Sequence, residues 1–141
     1  MGWNNSLSLA EKSAVRDIAR EAEEVIVQLA QEGNGRLFLT TSQIRKFLAA
    51  VNALTNKITV YRVQNDGATT LTPTLASEVK YLKVKLAYQA GRNPRTVRPF
   101  IEAARLKEWI DGIGTDIRAY EEFAHYVEAL VAYHKYHGGR D

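Results

Sequence analysis

Residues 73–91 read Pro-Thr-Leu-Ala-Ser-Glu-Val-Lys-Tyr-Leu-Lys-Val-Lys-Leu-Ala-Tyr-Gln-Ala-Gly. Within them Leu75, Val79, Leu82 and Leu86 recur at steps of four, three and four, which is the period of one face of an α-helix. Proline is tolerated in a first helical turn and glycine is a common stop. The spacing therefore predicts a helix from Pro73 or Thr74 to Ala90, closed by Gly91. At about 100° per residue, Tyr81, Lys85 and Tyr88 share a second face, and Lys80 and Lys83 fall on the other flank. Cations interleaved with aromatic rings suit nucleic acid, because ammonium groups meet phosphates while rings offer stacking surfaces. Tyr81 and Tyr88 are expected to pack against a second helix, whereas the lysines are expected to be exposed and to meet phosphates.

The same period extends in both directions. Upstream, Thr40 and Gln43 have capping-box spacing and open a helix carrying Ile44, Phe47, Leu48, Val51 and Leu54, with Arg45 and Lys46 beside that stripe. It is expected to end near Asn56. Residues 57–72 are β-branched and polar around an Asn65-Asp66-Gly67 turn, consistent with a short hairpin or, preferably, a loop. At the start of the chain Ser8 and Glu11 form another capping box, ahead of Val15, Ile18, Ala22, Val25, Ile26 and Leu29. That helix ends before Gly33-Asn34-Gly35. Downstream, Thr96 is expected to cap a helix reaching Ile110, with Pro99 in its first turn. Gly112-Ile113-Gly114 breaks the chain, and Thr115 caps a last helix to about His137. The sum is an all-α, compact bundle of about five helices, a single domain over residues 1–141 with no sheet expected.

Composition agrees with that class. Of the 141 residues 45% are apolar and 25% charged, enough to bury a core and too apolar for a disordered chain. The absence of cysteine excludes disulfides, thiolate nucleophiles and cysteine-ligated zinc. Apolar runs fall far short of the roughly 20 residues a membrane span needs, and the first residues lack the basic and apolar regions of a secretory signal. A cytoplasmic location without membrane contact is expected.

The net charge of +3 hides a segregation along the chain. Residues 1–35 carry −3, residues 36–107 carry +10 and residues 108–141 carry −4. A basic middle between acidic ends is what a polyanion-binding face on a nearly neutral protein looks like, although acids and bases distant in sequence can also pair in space. Within the basic part, Gly91-Arg92-Asn93-Pro94-Arg95-Thr96-Val97-Arg98 places Arg92, Arg95 and Arg98 at the approach to a helix. Cations there oppose the helix dipole by about 0.3–1 kcal/mol each. One glutamate, Glu102, stands a turn beyond Arg98. Three arginines against one carboxylate point to an external anion.

No catalytic set emerges. Glu122 and His125 have the i, i+3 spacing of di-iron bundles, but such sites need two pairs and two further glutamates facing inward. Here the stripe of Tyr120, Phe123, Ala124, Val127 and Val131 turns Glu122 and His125 toward solvent. His134 falls within that stripe and is expected to be a hydrogen-bonded core histidine. Gly112-Ile113-Gly114 lacks the third glycine and the preceding strand of a dinucleotide loop. No cofactor or metal is expected.

Three stretches together resemble a known family: Leu39-Thr-Thr-Ser-Gln-Ile-Arg-Lys46, Lys85-Leu-Ala-Tyr-Gln-Ala-Gly-Arg92, and Glu128-Ala-Leu-Val-Ala-Tyr-His-Lys-Tyr-His-Gly-Gly139. In this order and spacing, over most of the chain from about residue 37, they look like the small helical subunit of type III-A CRISPR effector complexes, the Csm small subunit. The resemblance implies a helical, non-enzymatic protein that stacks in several copies inside an antiviral ribonucleoprotein, beside other subunits and along guide RNA and target RNA. By motif match it implies Arg45, Lys85 and Arg92 as RNA-binding residues. Charge and geometry add Lys46, Lys80, Lys83, Arg95 and Arg98. The rival readings are an architectural helical subunit that stacks through charge and apolar contacts without touching RNA, and a ferritin-like metal enzyme.

Overall fold

The computed structural model describes residues 16–141. Among them are six helices: α1 (Ile18–Glu32), α2 (Thr41–Gln64), α3 (Pro73–Arg92), α4 (Val97–Ala104), α5 (Leu106–Asp111) and α6 (Ile117–Tyr136). No strand occurs among the described residues, and the one bridge, Thr70 with Asp116, is isolated. The all-α class holds.

Apolar periodicity explains the packing. Ala22, Val25 and Ile26 of α1 are buried, and α1 lies mainly along α6. The interior of α6 contains Tyr120, Phe123, Tyr126, Val127 and Leu130. Helix α2 uses Ile44, Phe47, Val51, Leu54 and Ile58 to pack on α6, and its flank meets α3. All four members of the stripe on α3, Leu75, Val79, Leu82 and Leu86, are buried as the spacing predicts. Burying such side chains contributes about 1.5–3 kcal/mol each.

Several boundaries differ from the sequence reading, each for a local reason. The Ser8–Glu11 capping box lies outside the described residues, and the helix containing Val25 starts at Ile18, where the Asp17 side chain accepts from the Arg20 amide. Helix α2 does not stop at Asn56; it continues to Gln64, so the loop expected from residue 57 is helix for its first half. Ile58 extends the buried stripe one turn past Leu54, and the Thr55 and Thr59 hydroxyls donate to carbonyls one turn back. Tertiary burial overrides β-branched propensity there. The turn itself is real: Asp66 and Gly67 take φ of 53° and 72°.

Gly91 lies inside α3, which ends at Arg92 with Asn93 as C-cap. Thr96 makes no side-chain cap bond, and the helix it was expected to open divides in two at Arg105, whose φ is 55°. The freed Ala104 carbonyl accepts a 2.9 Å hydrogen bond from the Tyr126 hydroxyl, so the break is satisfied from α6. The α6 cap is Asp116, one residue beyond Thr115.

Candidate nucleic-acid interface

Helices α2 and α3 run antiparallel. The Gln43 side-chain amide donates to the Asn93 side-chain oxygen at 3.3 Å at one end, and Lys57 meets Glu78 at 2.7 Å at the other. Between these ends α2 presents Ala50 and Ala53, whose small side chains leave the space above the buried Phe47 and Leu54 unfilled. Two cavities of about 290 and 420 Å³ result. They share Ala50, Tyr81 and Lys85 and so form one trough. Lys46 and Tyr88 border its second half.

Tyr81 is 57% exposed and Tyr88 63%, with Val84 between them at 51%. The expectation that these tyrosines pack away against a second helix is therefore overturned. The core-facing stripe of α3 already fills its contact with the bundle, so the rings one flank round have nothing further to cover them. Arg92 follows Lys85 by seven residues, two turns on and about 20° round the helix, and is also exposed.

Ion pairs sort the cations. Of thirteen bases in residues 36–107, four pair with carboxylates of the described residues: Lys57 with Glu78, Arg62 with Glu121, Lys83 with Asp111, and Arg105 with Glu108. Lys46, Lys85 and Arg92 meet no carboxylate of the described residues at ion-pair distance. Their positive charge stays open to solvent.

Arg92 lies beyond the trough lining, in line with Lys85 along α3, and the other candidates do not share the trough either. Lys83 is half-buried on the opposite side of α3, held by Asp111 at the end of α5, which corrects its expected exposure. Lys80 is exposed about 140° from Lys85 on the α3 wheel. Arg45 is exposed on α2, about 100° round from Lys46 and outside the trough lining. Arg95 borders a cleft with Phe38 and Glu32, and Arg98 a separate one with Glu102, Lys107 and Glu108. Arg92, Arg95 and Arg98 thus diverge rather than forming one anion site. Glu102 lies beside Arg98 without pairing with it.

Below the trough, α6 ends in a sealed joint. His134 is fully buried; its Nε2 donates to the Leu39 carbonyl at 2.6 Å, and Nδ1 lies 3.5 Å from the Thr41 hydroxyl. A carbonyl can only accept, which assigns the proton to Nε2. Gly139 lies so close to the imidazole that any Cβ there would collide with it. The Arg140 carbonyl accepts from the Thr41 amide at 2.8 Å, satisfying a donor of the first turn of α2. His137, three residues beyond His134, bonds Glu23 at 2.8 Å. His125 is exposed and Glu122 half-buried on α6, and among the described residues no three His, Asp or Glu side chains gather as a metal site would require. No helix among these residues is long and apolar enough to cross a membrane.

The family model of Csm2 of type III-A systems matches residues 12–140. The chain belongs to the Csm2 family. It is 36% identical over 121 residues to the CRISPR system Cms protein Csm2 of Streptococcus thermophilus, covering 86% of this chain and 91% of that one. The protein of the same name from Mycobacterium tuberculosis is 35% identical over 129 residues, covering 92% and 98%. The one from Enterococcus italicus is 38% identical over 101 residues, covering 70% and 68%. The stretches that resemble the family meet in space. Residues 39–46 join residues 128–139 at the His134 joint, and face residues 85–92 across the trough. The sequence reading missed the joint's partners, Leu39 and Thr41, because a carbonyl 95 positions away leaves no trace in local periodicity.

Proposed function

We propose that this chain is a non-catalytic, RNA-binding small subunit of a type III-A CRISPR ribonucleoprotein effector complex, acting in antiviral defence beside other subunits and further copies of itself. Lys46, Lys85 and Arg92 engage the phosphate backbone of guide or target RNA, and sequence choice is left to base pairing. Arg45 flanks that track on α2, while Arg95, Arg98 and Lys80 meet neighbouring segments. The observation that carries this reading is the trough of α2 and α3, where cations stand with no counterion from the described carboxylates beside open aromatic rings. Binding there releases condensed counterions, so affinity falls with salt.

Fluorescence anisotropy with two unrelated RNA sequences across a salt series tests it. Replacing Lys46, Lys85 and Arg92 together by alanine should weaken both RNAs alike and flatten the log–log salt slope by about 2, at roughly 0.7 per lost single-strand contact. Unchanged affinity and slope would remove the proposal. In the assembled complex, RNA crosslinks should map to peptides within residues 80–98.

A second reading, an architectural subunit stacking without RNA contact, draws on Phe38 and Tyr136, which are 61% and 78% exposed. Sedimentation of the RNA-free protein distinguishes it: self-association lost at high salt supports stacking through charge.

A further inference from the structure

We infer that the trough selects an unpaired strand, with Tyr81 and Tyr88 each stacking on a base face while Lys85, Arg92 and Lys46 hold the phosphates between. This rests on the RNA-binding reading and adds to it which form of RNA is taken. On one face of α3 rings and cations follow in turn: Tyr81, then Lys85 about 6 Å on, Tyr88 about 4.5 Å further and Arg92 another 6 Å along the axis. The two rings are thus separated by about 10.5 Å along the helix axis. Lys46 supplies a cation from the facing helix at the level of Tyr88 and Gln89.

Three features favour a single strand over a duplex. A tyrosine ring can stack only on a base whose face is open, and in a duplex those faces are covered by neighbouring pairs. Packed helices lie about 8–10 Å apart, and a furrow of that order between α2 and α3 suits one strand better than a duplex. Finally, both rings stay more than half exposed although they flank Val84, an apolar stripe with cations at its edges and no covering element among the described residues. Charge alone, as on Lys80, would serve a duplex equally well; the rings would not.

NMR titration of the full chain at low salt tests this, since it detects even millimolar binding. The ligands are a single-stranded oligouridylate and a blunt RNA duplex with the same number of phosphates. Ring protons of Tyr81 and Tyr88 should shift upfield with the single strand only, while the amides of Lys46 and Lys85 respond to both. Replacing both tyrosines by leucine should weaken single-strand binding by roughly tenfold or more, given the usual strength of base–aromatic stacking, and leave the salt slope intact. The partial exposure of both rings allows that variant to fold, which a thermal melt verifies. Equal ring shifts with duplex, or equal affinity of the leucine variant, overturns the inference while the backbone-binding reading stands. If neither lysine amide moves with any RNA, both fall. Ring shifts that follow protein concentration without RNA would mark the stripe as a contact between copies and overturn the inference too.

Discussion

The trough between α2 and α3 and the joint under His134 share one segment, residues 39–46, and are finished in opposite ways. At the joint each polar group has its partner within the chain: imidazole to Leu39, Thr41 amide to Arg140, and Gly139 folded over the ring. Among the described residues no buried side-chain nitrogen or oxygen lacks a hydrogen bond. In the second half of the trough the reverse holds: Lys46 and Lys85 meet no described carboxylate at ion-pair distance, and the rings of Tyr81 and Tyr88 stand in water. A buried polar group must be satisfied when the chain folds, because leaving it unpaired costs about 1–3 kcal/mol. A surface cation carries no such demand and is available to a ligand.

The contrast is sharpest within α3, where Leu86 is 2% exposed and Tyr88, two residues on, is 63% exposed. Leu86→Ala should cost about 2–5 kcal/mol in urea unfolding. Tyr88→Ala should change stability by less than about 0.5 kcal/mol and weaken RNA binding instead. Comparable losses of stability for the two would show that the tyrosine belongs to the core after all.

Gly139→Ala attacks the sealed side. Its methyl group must displace the His134 imidazole or lift the tail, at about 1–3 kcal/mol, and hydrogen exchange at the Thr41 amide should speed up as the Arg140 carbonyl moves away. A protected Thr41 amide with an unchanged melt would mean the tail does not clamp α2.

Alkaline titration probes the interior by another route. Burial pushes the phenols of Tyr120 and Tyr126 up from 10.0 to about 12. The folded state thus holds these protons more tightly than the unfolded chain. The stability they contribute is complete below pH 10 and is lost as pH rises toward 12. Tyr120→Phe, which removes one phenol, should flatten that decline in melts between pH 9.5 and 12.

The smallest effect belongs to Lys83→Ala. The Lys83–Asp111 pair is partly exposed and should contribute no more than about 1 kcal/mol. RNA affinity should stay the same, because this lysine faces away from Lys85. A loss equal to that of Lys85→Ala would erase the distinction between the two flanks of α3.

Much of this could be read from the chain. The stripes on α2, α3 and α6 place the core correctly, since a helix buries whatever recurs every three or four residues. His134 as a hydrogen-bonded core residue followed from its place in the α6 stripe. The break at Arg105 and the extension of α2 to Gln64 could not be read, because each depends on a partner far along the chain: the Tyr126 hydroxyl for the first, and the packing of Ile58 for the second. The basic segment was equally visible, yet its residues divide among a trough, two clefts and four ion pairs.

The amino-acid sequence by itself determined an all-α protein of the Csm2 family with a strongly basic middle, because periodicity, composition and motif order are local properties of a chain. Only the tertiary structure decided which cations meet carboxylates and which stand open beside tyrosines. That outcome depends on how helices distant in sequence are set against one another, and charge acts through space.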